Sequence, residues 1–227
     1  MSNGERYAAG QVRFIELLRD VADDVAVPAT PEWDVHGVLS HVVGVAADLV
    51  AGRLDRWSQP SWTAEQVAAR VGCTRDQLFA EWNQHLSAVV AIVDDPGTLG
   101  LDDMFGRVTL VDLIAHEYDV REAVGDTSTL ADGDWAILCV QRRFRLDASA
   151  KRNGVAPLRV VTDRGDDWLI AGEPPQGTVR VPRQELWRSL EGRRTRAAVR
   201  AFEWSVDPEP YLGCWLGPVY EWPDDHA

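Results

Sequence analysis

Lysine is nearly missing from this chain. Lys151 is the only one among 227 residues, so almost all the positive charge is arginine. We read that bias as codon usage in a GC-rich genome, a matter apart from function. Acidic residues outnumber basic ones, 36 to 23, which gives a formal net charge of -13. Such a surface repels phosphate backbones and anionic lipid, so nucleic acid and membrane are excluded as partners. An anionic substrate would need a local cluster of cations to hold it against that field. Cysteine is scarce as well: Cys73, Cys139 and Cys214 are scattered, odd in number, and form no Cys-x-x-Cys. A disulfide framework and a thiolate zinc site are thereby excluded, and a reducing compartment fits. No apolar run is long enough to span a bilayer, and Met1-Ser-Asn-Gly-Glu-Arg6 has no signal-like apolar stretch. The expectation is a cytoplasmic protein. Neither an internal repeat nor a low-complexity segment is visible.

The hydrophobic fraction is 45% and the charged fraction 26%, ordinary for a globular chain. The length allows one large domain or two modest ones. The first two-thirds reads as helical. From about Arg6 to Asp24, apolar residues recur at Val12, Ile15, Leu18 and Val21. Two prolines break the pattern before Trp33, and Asp34 can cap a second helix to about Arg53. Ser61 or Thr63 can cap a short helix through Val71. Thr74 can cap a long one with Leu78, Trp82, Leu86 and Val89 at core spacing. A helix from about Thr109 to Ala123 and another from Ala131 to Ala150 follow, the latter ended by Asn153-Gly154.

The character then changes to short β-rich runs, Leu158–Thr162, Trp168–Ala171 and Thr178–Val181, with a turn cluster at 163–167. A short helix from Arg183 to Glu191 and a fourth strand over Ala197–Trp204 complete the reading. The predicted fold class is mainly α plus α/β, a helical bundle over residues 1–153 and a small α/β domain over residues 154–227.

The chemistry centres on Asp112 and His116. Four residues apart on a helix, they stand one above the other on one face, where a carboxylate and an imidazole can share a divalent metal. His41, in a different apolar helical segment, is the candidate third ligand. Bland readings exist for each. Thr109 could be an N-cap with Asp112 stabilising the first turn, and either histidine could be a hydrogen-bonded core residue. Asp119 is near the same face and could ligate in place of Asp112 or orient His116. His36, about 140° around the helix from His41, reads as a surface residue, and Glu117, about 100° from His116, as solvated. Two histidines and one carboxylate suit zinc, and also nickel, manganese or iron(II).

Three stretches carry a resemblance. Pro31-Glu-Trp33-Asp-Val-His-Gly-Val-Leu-Ser-His41 resembles the tryptophan-then-histidine helix of the DinB/YfiT-like metal-binding bundles. Asp112-Leu-Ile-Ala-His116-Glu-Tyr-Asp119-Val-Arg-Glu-Ala-Val-Gly125 is similar to the signature of the mycothiol-dependent maleylpyruvate isomerase family within that superfamily. Glu185-Leu-Trp-Arg-Ser-Leu-Glu-Gly-Arg-Arg194 resembles that family's smaller, sterol-carrier-like domain. The resemblance spans nearly the whole chain in the right order.

It implies a DinB-like up-down four-helix bundle whose metal is held by His41, Asp112 and His116. It also implies a divalent metal, zinc foremost, with mycothiol as the thiol co-substrate. The metal would stabilise the thiolate, which is the nucleophile. In the isomerases the thiolate adds to a cis double bond, the new single bond rotates, and elimination gives the trans product. Other members could leave the thiol on the electrophile, as transferases do. Partners are then a small thiol and an electrophilic substrate, for a monomer or homodimer. One departure stands out: the family's isomerases have Glu where this chain has Asp112. Arg193 and Arg194 are the candidate catalytic cations for a carboxylated substrate; otherwise they form a solvated basic turn. The rival function is a non-catalytic metal- or ligand-binding stress protein.

Overall fold

The structure is a computed structural model, and it describes residues 1–57, 59–101, 103–217 and 221–223, with the side chains of 103–105 left aside. The chain divides into two compact units, Met1–Ser128 and Thr129–Ala227.

The first unit is a helical bundle: α1 (Asn3–Leu18), α2 (Val35–Val50), α3 (Pro60–Ala68), α4 (Arg75–Asp94) and α5 (Asp103–Ala123). Local sequence sets most of the starts. Ser2 and Glu5 form a capping box on α1, and Thr74 and Gln77 form one on α4. The Asp34 side chain accepts from the Gly37 amide at the start of α2. α3 begins at Pro60, whose fixed φ suits the first helical turn, so neither Ser61 nor Thr63 caps it. α2 is buried almost all round, from Val35 to Leu49, because α1 is the only bundle helix it does not lie heavily against: α3, α4 and α5 all pack on it. On α1 the buried stripe is Tyr7, Gln11, Phe14 and Leu18. Val12 is 53% exposed, so the expected Val12/Ile15 face is displaced by the aromatic one, which carries more apolar area to bury. Phe14 meets Trp82 edge to face at 6.1 Å, and the Trp82 indole donates to the Tyr7 hydroxyl.

The second unit holds α6 (Asp132–Arg152), β1 (Leu158–Thr162), β2 (Asp167–Ile170), β3 (Gly177–Val181), α7 (Arg183–Leu190), α8 (Arg196–Arg200), β4 (Glu203–Trp204) and α9 (Glu209–Leu212). Its sheet runs β2-β1-β3-β4; β1 pairs antiparallel with β2 and parallel with β3, with Val160 opposite Val179. The boundary expected at 153/154 lies instead at Ser128/Thr129, because α6 is bound to the sheet. Trp135 stacks on Trp168 at 5.5 Å, its indole donates to Asp166, and the Ala171 amide donates to Asp147. Most of the expected fourth strand is helix α8, capped by Thr195, and only Glu203–Trp204 pairs with β3. A buried ion pair, Arg142 with Glu191, joins α6 to the end of α7.

Candidate metal centre

His41 and His116 come from α2 and α5, and both are buried, their side chains 4% and 8% exposed. Asp112 stands between them. Its Oδ2 is 3.6 Å from His41 Nε2 and its Oδ1 is 3.7 Å from His116 Nε2. One ligand atom from each of the three lies within 4.8 Å of the others. The Asp112 side chain is 27% exposed, so the cluster meets solvent on the carboxylate side. α5 begins at Asp103, well before Thr109, and this removes the capping explanation for Asp112. The carboxylate sits mid-helix with no free amides to cap.

The far side of each imidazole is also engaged. His41 Nδ1 is 2.8 Å from Gln66 Oε1 of α3, and Gln66 Nε2 donates to Asp48 Oδ2 at 2.7 Å. Asp48 is held in turn by Arg53. His116 Nδ1 lies 3.1 Å from Asp119 Oδ2, a close contact that falls off the line of a ring N–H bond. Asp119 is fully buried and occupies the Nδ1 side, away from Asp112. Each histidine thus turns Nδ1 toward an oxygen acceptor and Nε2 toward the shared carboxylate, which is how histidines that bind metal are commonly braced.

Trp33 covers the pair. Its ring is 5.1 Å from that of His41 and 6.1 Å from that of His116, while the two imidazoles lie edge to face at 4.9 Å. Gly37 permits this approach, since a Cβ there would stand 3.0 Å from the Trp33 Cβ. Burial drives the Tyr7 hydroxyl strongly upward from its ordinary pKa, and the negative charge of Asp112 adds to the effect, so Tyr7 is a neutral phenol.

Two expectations are corrected here. Glu117 is 1% exposed rather than solvated, because the face about 100° from His116 turns toward α1. There Arg13 donates to both carboxylate oxygens and Arg121 adds two further bonds. His36 is half-buried rather than at the surface, with Nε2 2.9 Å from the Cys73 carbonyl. Gln66, Asp48 and Tyr7 were not singled out in the sequence; each is a polar group whose meaning depends on a distant helix.

Arg193 and Arg194 belong to the second unit, between α7 and α8. Arg194 donates to both oxygens of Glu185, at 2.6 and 2.8 Å, and Arg193 donates to the Glu191 carbonyl.

The fold and the site together define a class: a helical bundle, followed by a small α/β unit, in which two histidines and an aspartate converge as a candidate metal set. A solved structure of the mycothiol-dependent maleylpyruvate isomerase is similar over 90% of this chain and 92% of its own, with a TM-score of 0.61 and 13% sequence identity. At that identity the likeness is one of fold. No family model matches the sequence, and no curated protein matches it. Among the described residues, no helix is long and apolar enough to cross a membrane.

Proposed function

We propose that the protein is a metal- and thiol-dependent enzyme, an isomerase or S-transferase acting on a small electrophile, with mycothiol as its thiol. The observation that carries this reading is the convergence of His41, Asp112 and His116 in a fold shared with an enzyme of that kind. The donor set fits a divalent ion: two imidazole nitrogens and one carboxylate, with the other nitrogen of His41 hydrogen-bonded to Gln66 and that of His116 in close contact with Asp119. His41, Asp112 and His116 would hold the ion, with zinc foremost. When bound, it would supply Lewis acidity that stabilises the thiolate form of a small thiol.

The chain's own residues do the rest. Buried His41 and His116 fix two ligand atoms on two different helices. Trp33 shields them on one side, and the partly exposed Asp112 leaves an approach for thiol and substrate. Arg193 and Arg194 are proposed as the cations for a carboxylated substrate. Aspartate at 112, shorter by a methylene than the glutamate of the isomerases, favours a substrate other than maleylpyruvate. It draws the ligand oxygen toward α5 and so changes the space left for the electrophile.

The test is zinc binding and turnover, with mycothiol and a panel of electrophiles, for wild type and His116→Ala; turnover is read both as thiol consumption, for a transferase, and as thiol-dependent cis-to-trans conversion, for an isomerase that returns its thiol. Zinc-dependent turnover of either kind that His116→Ala abolishes supports the reading. Binding of zinc without turnover, together with loss of thermal stability on chelation, would replace it with the non-catalytic rival.

A further inference from the structure

The two histidines are braced by unlike groups. His116 faces a carboxylate, whereas His41 faces a neutral amide, Gln66. An amide can present either its oxygen or its nitrogen, so by itself it would not specify which nitrogen of His41 carries the proton. Asp48 removes that ambiguity. An ionised carboxylate only accepts, so the group of Gln66 that faces Asp48 at 2.7 Å must be the NH2. The carbonyl oxygen then faces His41, and Nδ1 must be the nitrogen bearing hydrogen. Nε2 is the nitrogen turned toward Asp112, 3.6 Å from Oδ2.

We infer that Gln66 is a positioning residue that holds His41 in its Nδ1–H tautomer, with Asp48 setting the sense of the amide and Gly44 making the approach possible. A Cβ at position 44 would lie 2.5 Å from the Gln66 Cβ and 2.7 Å from its Cγ. Glycine in the middle of a helix costs stability, and this one has a use: it lets α3 close on α2 until a glutamine side chain spans from Asp48 to His41. Gln66 is 4% exposed, and Asp48 carries Arg53 on its outer oxygen, so the chain from surface arginine to imidazole is continuous. Neither Gln66 nor Asp48 needs to touch substrate for this role. The inference rests on the metal reading for its consequence, but not for the tautomer itself.

Two readouts test it. The first is the His41 tautomer in metal-free protein, read from long-range proton–nitrogen correlation spectra at a pH raised until the ring is neutral, with His41 assigned by substitution. The second is zinc affinity, by competition with a chromophoric chelator. Wild type is expected to show His41 as the Nδ1–H form. Gln66→Leu should shift it toward the Nε2–H form and weaken zinc binding about ten- to a hundredfold, the usual effect of losing such a brace. Asp48→Asn, isosteric and lying further out, lets the amide turn over and should give a mixed tautomer and a smaller loss. Gly44→Ala should resemble Gln66→Leu with Gln66 still in place. A wild-type Nε2–H tautomer would overturn the proposal. So would Gln66→Leu and Asp48→Asn both holding zinc within a factor of two of wild type while His116→Ala abolishes binding. Should Gln66→Leu fail to fold, Asp48→Asn carries both readouts. If wild type bound no metal, the metal reading would fall and the tautomer spectra would still decide the role of Gln66.

Discussion

His116 and Asp119 sit three residues apart on α5, with Nδ1 and Oδ2 3.1 Å apart and the aspartate side chain fully buried. A buried carboxylate at that distance faces Nδ1 and leaves Nε2 turned toward Asp112, the orientation a metal ligand needs. Asp119→Asn keeps the shape and removes the charge. It should weaken zinc binding about ten- to a hundredfold with the helical content intact. Chelator competition and far-ultraviolet circular dichroism, taken together, check this. Unchanged affinity would show that Asp119 only fills space.

Glu117, next in sequence to His116, has a different task. Its buried carboxylate ties α1 to α5 through Arg13 and adds Arg121 along its own helix, while Arg121 also pairs with Asp126. Glu117→Ala leaves Arg121 largely buried with a poorer balance of charge, although Arg13, 37% exposed, can turn to water. The expected cost is about 2–4 kcal/mol of stability, toward the lower part of the range for breaking a buried pair. Zinc affinity should change by no more than a few-fold. Urea unfolding of the variant with and without zinc measures both. A large loss of affinity at normal stability would mean that Glu117 belongs to the site and not to the frame.

These two residues also mark what the sequence could and could not tell. Asp112 and His116 were legible because a four-residue spacing on one helix fixes their relation without knowledge of any other element. Asp34 and Thr74 were legible as caps for the same local reason. Glu117 was not, since its arginine partner Arg13 lies 104 residues away in sequence on another helix. Gln66 was not, because a glutamine on a short, weakly patterned helix acquires its role only when Gly44 admits it. The domain boundary was misplaced for a related reason. The helical period of α6 says nothing about whether its Trp135 stacks on a strand, and that stacking binds it to the sheet. Where two periodicities competed on α1, the Val12 spacing looked sound locally, and the larger rings of Tyr7 and Phe14 won the core.

In the second unit, acid should act through Asp166. Burial alone would raise its pKa, but bonds from Arg183, Thr162 and the Trp135 indole outweigh that and hold its carboxyl below the usual range. A depressed folded value means stability that is present above the unfolded pKa, about 3.9, and lost as pH falls through the folded value. Asp166→Asn should therefore be less stable than wild type at about pH 6, and the gap should close below about pH 4. Thermal unfolding of both proteins across that interval is the measurement. A gap that stays constant would place the worth of Asp166 in its shape and not in its charge.

Arg193 and Arg194 separate a substrate-binding role from a structural one by charge selectivity. If Arg193 holds a substrate carboxylate, Arg193→Ala should raise KM for a carboxylated electrophile by about tenfold or more, the worth of a charged hydrogen bond. KM for the methyl ester of the same compound should not move, and kcat should stay near wild type for both. Arg194 already carries a two-point pair with Glu185, whose side chain is 36% exposed. Its removal should cost about 0–1 kcal/mol of stability, as for other exposed pairs. Arg194 can serve a substrate only by exchanging Glu185 for the incoming carboxylate. Glu185→Gln should then lower KM for the acid, because the arginine no longer has a competing anion. Equal KM shifts for acid and ester in Arg193→Ala would count against a carboxylate site and return both arginines to the structural turn between α7 and α8.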